Sequence, residues 1–271
     1  MLNTLFFVKL IAMPCFTALV AYIQKRWSHK LGGAISGLPL TAGPISVFLA
    51  IEQGLPFARE AAVNAMLGYL ATSIFVYVFV FLAKKRSWPI CLLAGTAAWG
   101  VSAIILALLP LSMIMKMAIG LATLLLNTLF VFGFSHDEVT HITKKVPYDV
   151  VIRAVSVLVP LLVITALAPY IGANYSGVLG GIPAMWSVLF SFTLAHSGRL
   201  AVVDFFKGAT FCAWGFQAFF FTLIFLPITH VLWLYVVASV VASFFGYGGY
   251  KLMPKMQRVT RQSFRGVCLI P

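Results

Sequence analysis

Long uninterrupted runs of apolar residues alternate with short polar connections along most of this chain. Each run is long enough to cross about 30 Å of hydrocarbon as a helix, and a helix satisfies its own backbone hydrogen bonds in lipid. The pattern therefore predicts an all-α, polytopic membrane protein with nine transmembrane helices. The predicted spans are residues 5–23, 32–51, 61–83, 89–109, 113–134, 150–170, 175–195, 205–226 and 231–250.

Basic residues are concentrated in every second connection between the predicted spans. Cytoplasmic loops carry the excess of Lys and Arg, so the odd-numbered connections are predicted to lie inside. This places the N-terminus outside and the C-terminus in the cytoplasm, in agreement with an odd number of spans. The basic residues are Lys25, Arg26 and Lys30 in the first connection, Lys84, Lys85 and Arg86 in the third, Lys144 and Lys145 in the fifth, Arg199 in the seventh, and Lys251, Lys255, Arg258, Arg261 and Arg265 in the tail.

The two halves of the chain match each other faintly at one ungapped offset of 144 residues. The offset predicts a first four-helix unit at 1–111, a linking helix and cytoplasmic loop at 112–148, a second unit at 149–250 and a basic cytoplasmic tail at 251–271. Because a single helix separates the units, the second unit is predicted to be inverted, as is typical of secondary transporters. The matched pairs are Lys9 with Arg153, Gly33 with Gly177, Gly37-Leu38-Pro39 with Gly181-Ile182-Pro183, Phe48 with Phe192, Gly54 with Gly198, and Glu60 with Asp204.

The second and seventh predicted helices share a Gly-x-x-x-Gly-[Leu/Ile]-Pro sequence, and the second adds Gly43-Pro44 one turn later. Proline removes an amide donor and glycine tolerates irregular backbone, so both helices are predicted to be broken. In inverted-repeat transporters such breaks form the central site. The alternative is a close helix seam with a tolerated kink. The candidate substrate- or ion-binding residues are Ser36, Gly37, Pro39, Thr41, Gly43, Ser176, Gly181 and Pro183.

A second set of candidates consists of charged or titratable residues near predicted helix ends. Acidic groups at membrane depth often mark ion relays, although at a helix start they also complement the helix dipole. Basic side chains there attract an anion, pair with an acid or extend to the interface. The coupling or charge-pairing candidates are Glu52, Glu60, Asp204, Lys9, Arg153 and His196, the last standing where the first half has Glu52.

The composition excludes several other classes of protein. Of the 271 residues 62% are hydrophobic and 9% charged, whereas a soluble domain has about 25% charged residues. The net charge of +13 is dispersed beside apolar runs, so no nucleic-acid partner is expected. The four cysteines form no CxxC pair and have no histidine at ligand spacing, so no metal site is predicted. No nucleotide-binding or nucleophile motif occurs, so we expect neither an enzyme nor a cofactor.

Each half resembles the small four-helix GlpM-like bacterial membrane proteins. The resemblance rests on Ser36-Gly37-Leu38-Pro39, on Gly181-Ile182-Pro183 and on the apolar runs that follow them, about one span in four. This chain differs by joining two such units through a linking helix, so the activity of that family is not transferred to it. The resemblance implies a bacterial inner-membrane protein without catalytic residues.

Two functional hypotheses follow. The first is a secondary transporter of a small molecule or ion across the bacterial inner membrane, coupled to protons or sodium, with its site at the two breaks. The second is a membrane scaffold or assembly protein in which the repeat only builds a stable bundle. Both have the lipid bilayer as their partner. Inward-facing Lys9 and Arg153 would favour an anionic solute, whereas an acidic cavity would favour a cation.

Overall fold

The structure of the protein is a computed structural model, which describes Ile11, residues 38–132 and residues 149–267, with the backbone alone at 149, 150, 153, 154, 156, 157 and 253–267. Throughout these ranges the regular secondary structure is helical. Seven helices lie within residues 38–132 and 149–267: α1 (Ala42–Gln53), α2 (Leu55–Leu82), α3 (Trp88–Leu108), α4 (Met113–Phe132), α5 (Asp149–Gly180), α6 (Ala184–Phe225) and α7 (Val231–Val267).

The described helices are those of a membrane protein. Five stretches are long and apolar enough to cross a membrane, and one of them, Leu158–Phe225, has 68 residues. At 1.5 Å per residue it would extend about 100 Å as one helix, far beyond the roughly 30 Å of a bilayer core. It must therefore be divided into shorter passes. The other four stretches are Leu55–Leu82, Trp88–Leu108, Met113–Val131 and Val231–Leu252.

Three irregular points divide the long stretch. α5 bends at Gly172 and α6 bends at Gly198, each with a positive φ, and residues 181–183 between the two helices are not helical. We call residues 173–180 the second arm of α5. Residues 184–197 and 199–225 are the first and second arms of α6.

Several of the predicted spans overlap the described helices, but their bounds differ. The predicted third, fourth and fifth spans correspond to α2, α3 and α4, although α2 begins at Leu55, six residues earlier than predicted. The seventh predicted span, 175–195, is distributed over the second arm of α5 and the first arm of α6. α7 continues beyond 250 into the predicted tail, and the first predicted span lies outside the described residues, apart from Ile11.

α2 is the central helix of the described bundle, since it packs against α1, α3, α4, α5 and α6. Its Phe75 and Phe79 are fully buried and both contact the ring of Phe190 on α6. The outer helices instead expose large apolar side chains such as Leu93 on α3 and Ile114 on α4, which are 72% and 79% exposed. Exposed apolar faces of this kind would be unstable in water and are suited to lipid.

α2 and the second arm of α6, which the 144-residue offset relates, run antiparallel. At the start of α2, Arg59 Nη2 donates to the carbonyl oxygens of Leu226 and Ile228, just beyond the end of α6, at 2.8 and 3.1 Å. At the start of the second arm, Arg199 Nε donates to the carbonyl oxygen of Val80, near the end of α2, at 3.3 Å. Each helix therefore begins where the other one ends.

Both of these helices follow a glycine whose conformation is closed to most residues. Gly54 has φ 91° and ψ 163°, and Gly198 has φ 78° and ψ 179°. This region of the backbone map is adopted almost only by glycine. The two glycines are 144 positions apart, so the offset relates not only residue types but also two turns of the same backbone shape.

We expect Gly198→Ala to lower the free energy of unfolding by about 1–3 kcal/mol, because a Cβ forces this backbone out of its observed conformation. Gly100→Ala on α3 is the matched control: neither glycine has a neighbouring atom within 4 Å of an added Cβ, but Gly100 has no positive φ. The control should be neutral or more stable by about 0.5–1 kcal/mol. Thermal unfolding of the detergent-solubilised protein measures both, and equal shifts would contradict the prediction.

Candidate functional site

The two segments in which breaks are predicted, at Pro39 and at Pro183, meet at one cavity of about 50 Å³. It lies between the segment before α1, the segment between α5 and α6, and the facing sides of α2 and α6. Its lining residues are Leu38, Pro39, Leu40, Thr41, Ala42, Tyr69, Thr72, Gly180, Gly181, Ile182, Pro183, Met185, Trp186 and Phe216.

Proline explains why the chain is irregular at both places. Pro39 and Pro183 lack the amide that a continuing helix would use, and each carbonyl instead accepts from an amide of the helix that begins next. Gly43 N donates to Pro39 O at 2.8 Å, and Ser187 N donates to Pro183 O at 2.7 Å. α1 and α6 therefore both begin at the cavity wall and direct the positive ends of their dipoles towards it.

The cavity is lined by residues that the 144-residue offset relates to one another. Two of the pairs come from the segments that contain Pro39 and Pro183, two from the starts of α1 and α6, and one from α2 and the second arm of α6. The pairs are Leu38 with Ile182, Pro39 with Pro183, Thr41 with Met185, Ala42 with Trp186, and Thr72 with Phe216.

A hydrogen-bonded cluster on α2 and α4 supports one wall of the cavity. Asn127 Nδ2 donates to Ser73 Oγ at 2.8 Å and to the Tyr69 hydroxyl at 3.3 Å, while Asn127 Oδ1 accepts from the Tyr77 hydroxyl at 2.7 Å. Asn127, Ser73 and Tyr69 are buried, so these bonds satisfy groups that would otherwise be costly to desolvate. Thr72 Oγ1 donates to the carbonyl oxygen of Gly181 at 2.8 Å and so connects α2 to the second break.

The structure brings together four of the candidates that the sequence places at the breaks. Pro39, Thr41, Gly181 and Pro183 line the cavity. Gly43 is buried one turn further along α1, where an added Cβ would contact Phe219 at 3.6 Å. Ser36 and Gly37 lie outside the described residues.

Ser176 lies apart from this cavity. It lines a smaller one of about 10 Å³, together with Ser46 and Gly177, between α1, α2 and the second arm of α5. Its Oγ is buried and has no hydrogen-bond partner among the described residues. A volume of this size holds about one water molecule.

The charged candidates lie away from the main cavity. Glu52 is half-buried at the end of α1, and Glu60 is exposed near the start of α2. His196 Nδ1 lies 2.9 Å from the carbonyl oxygen of Phe192, on its own helix. Lys9 lies outside the described residues, and Arg153 is described by its backbone alone.

Asp204 is the exception among the charged candidates, because it is buried and paired. Its carboxylate lies 3.4 Å from Lys207 Nζ, and the two side chains are only 8% and 7% exposed. Sequence reasoning did not select Lys207, which falls inside a predicted apolar span. The sequence does place Lys207 three residues after Asp204, and side chains at that spacing lie on the same face of a helix.

Lys116 on α4 is a second functional candidate that sequence reasoning missed. Its Nζ donates to Asn64 Oδ1 on α2 at 2.8 Å and to Asn174 Oδ1 on the second arm of α5 at 2.9 Å. The ammonium group thus connects three helices near one end of the bundle. A lysine four residues into a predicted span was the only sequence signal.

Among the described residues no three His, Cys, Asp or Glu side chains lie close enough together to hold a metal ion. No family model matches the chain, and neither a curated protein nor a solved structure matches it. In the described residues, the fold is that of a helical membrane protein, with a cavity between the segment before α1 and the segment between α5 and α6.

Proposed function

We propose that this chain is a secondary transporter that carries a small solute across the bacterial inner membrane, with its central site at the two breaks and with protons or sodium ions as the coupling ion. The observation that carries the proposal is the cavity that Pro39 and Pro183 line from opposite halves of the chain. Irregular backbone inside a membrane is tolerated where it lines a cavity, and transporters bind solutes at such places.

The proposal includes nine transmembrane helices arranged as two inverted four-helix repeats. The antiparallel course of α2 and the second arm of α6 supports the inversion, and the shared conformation of Gly54 and Gly198 supports the repeat. The paired residues around the cavity support a pseudo-two-fold axis through it. In this arrangement the N-terminus is outside and the C-terminus is cytoplasmic.

A scaffold would need no opening at this depth. Its breaks would be expected to pack closely against α2 and α6, because any void between apolar side chains loses dispersion contacts. The cavity at the breaks therefore favours transport over a purely structural role.

We expect Pro39→Ala and Pro183→Ala each to reduce transport by about tenfold or more, since alanine allows the helix to continue and displaces the groups that position the solute. The measurement is flux of a mixed solute pool into proteoliposomes, read by mass spectrometry, with and without proton and sodium gradients. Pro89→Ala is the control, because Pro89 is exposed in the first turn of α3. Unchanged flux in both cavity variants, with equal amounts of protein in the vesicles, would rule out this site.

A further inference from the structure

The cavity has two chemically different walls, and each wall comes from a different half of the chain. The first half contributes the hydroxyl side chains of Thr41, Tyr69 and Thr72. The second half contributes Met185, Trp186 and Phe216. In two pairs of lining residues related by the offset, Thr41 with Met185 and Thr72 with Phe216, the first half has a hydroxyl side chain and the second half a large apolar one.

The hydroxyl wall offers both a donor and an acceptor. The Tyr69 oxygen accepts from Asn127 Nδ2, so its own proton is available to a bound group. The Thr72 proton is directed to the carbonyl oxygen of Gly181, which leaves the Thr72 oxygen as an acceptor. Thr41 makes no side-chain bond to the start of α1, so its hydroxyl serves in either role.

The described lining residues carry no charged side chain. The buried cation nearest in sequence to the lining residues of α6, Lys207, is already paired with Asp204. Lys116 is held by two asparagine side chains, and Arg59 and Arg199 donate to backbone carbonyls. A cation would thus lose its hydration at this wall without meeting an opposite charge. An anion would meet no cationic side chain among these lining residues, only the partial positive charges at the starts of α1 and α6, so burial of either ion is unfavourable.

The volume limits the size of the solute. A cavity of about 50 Å³ is much smaller than the roughly 150 Å³ apolar cavity that binds benzene, so it accommodates on the order of three to five non-hydrogen atoms. Such a solute would touch both walls at once.

We propose that the solute is a small, uncharged amphipathic molecule with a hydroxyl or amide group. Its polar group faces Thr41, Tyr69 and Thr72, and its apolar part faces Met185, Trp186 and Phe216. This inference rests on the proposed function, because it names the chemical class of the solute at the same site.

Three isosteric probes test the inference: acetamide, acetate and acetamidinium have the same shape and differ in charge. The protein is purified and reconstituted into sealed proteoliposomes, and exchange of each labelled probe is compared with its exchange in protein-free vesicles. We expect the protein to accelerate the exchange of acetamide. Its acceleration of acetate and acetamidinium exchange should be at least about tenfold smaller, because a charge would be buried without a partner. Faster exchange of either ion than of acetamide would overturn the inference.

Variants of Thr72 add a readout that depends on the hydroxyl. Thr72→Val should lower acetamide exchange several-fold, whereas Thr72→Ser should retain it. Thr128→Val is the matched control, because Thr128 is also a buried threonine but donates only to Leu124 O on its own helix. Equal exchange in Thr72→Val and Thr128→Val would overturn the assignment of the hydroxyl wall.

The experiment also separates this inference from the proposed function. If a charged solute of the mixed pool is transported and Pro39→Ala or Pro183→Ala stops it, the transporter stands and the uncharged class is wrong. If the protein accelerates exchange of no solute at all, the proposed function fails, and the inference fails with it.

Discussion

Lys207→Met is expected to lower the free energy of unfolding by about 3–5 kcal/mol, because it leaves the carboxylate of Asp204 buried without its cation. Both side chains are more than nine-tenths buried, and their charged atoms are 3.4 Å apart. Methionine preserves the length and most of the volume of the lysine side chain. The loss therefore reports the unpaired charge and not a cavity.

The double variant Asp204→Leu with Lys207→Met distinguishes this explanation from a simple packing defect. Removing both charges also removes both desolvation costs, so the double variant should be more stable than Lys207→Met alone. Lys85→Met is the control, because Lys85 is exposed after α2, and its effect should stay within about 0.5 kcal/mol. Thermal unfolding in detergent measures all three. A double variant that is no more stable than Lys207→Met alone would contradict the explanation.

The position of this ion pair illustrates what the sequence repeat predicts and what it does not. The offset pairs Glu60 with Asp204 and treats the two positions as equivalent. In the structure Glu60 is exposed and Asp204 is buried. The difference arises because the second half carries Lys207 one turn later, whereas the first half has Val63 at the related position. Burial of a carboxylate depends on its partner, and an offset alone does not identify partners.

The breaks were predictable because proline and glycine act through local backbone geometry. Pro39 and Pro183 therefore identify the cavity from the sequence. The hydroxyl wall was not predictable in the same way. Tyr69 and Thr72 lie inside a long apolar span. When a helix carries apolar residues on every face, hydrophobic periodicity does not show which face packs against a neighbouring helix. Their role follows from the packing of α2 against α5 and α6.

The bounds of the helices around the breaks were also beyond the sequence pattern. The sequence predicts a span at 175–195 with a break at 181–183, but it does not indicate the turns at Gly172 and Gly198 on either side. Each point contains glycine or proline, but so do positions inside regular helices, such as Pro160 in α5. Whether glycine adopts a positive φ or a helical one is decided by the packing of the helices on either side.

At the seam between them, α2 and the second arm of α5 pack closely enough that their backbones are in contact at two glycines. Gly68 on α2 lies against the backbone of Val178, and Gly177 lies against the carbonyl oxygen of Ala61. Lys116 holds the same seam through Asn64 and Asn174. Since the arm leads directly into the second break, its distance from α2 fixes where Gly181 lies.

Gly177→Ala is therefore expected to destabilise the protein by about 1–3 kcal/mol and to reduce transport, because the new Cβ overlaps the Ala61 carbonyl oxygen and lies 2.6 Å from Asn64 Cβ. The obstacle is backbone, so no side-chain rotation relieves it, and the arm must move away from α2. Gly180→Ala is the matched control for stability on the same arm: its Cβ would lie 3.7 Å from Ile45 Cγ2, an ordinary contact. Because Gly180 itself lines the cavity, Gly100→Ala on α3, whose Cβ would meet no atom within 4 Å, is the control for flux. Thermal unfolding and proteoliposome flux are measured for all three variants. The seam has the role described here only if Gly177→Ala loses stability that Gly180→Ala retains and flux that Gly100→Ala retains, and equal behaviour of Gly177→Ala and its controls would refute it.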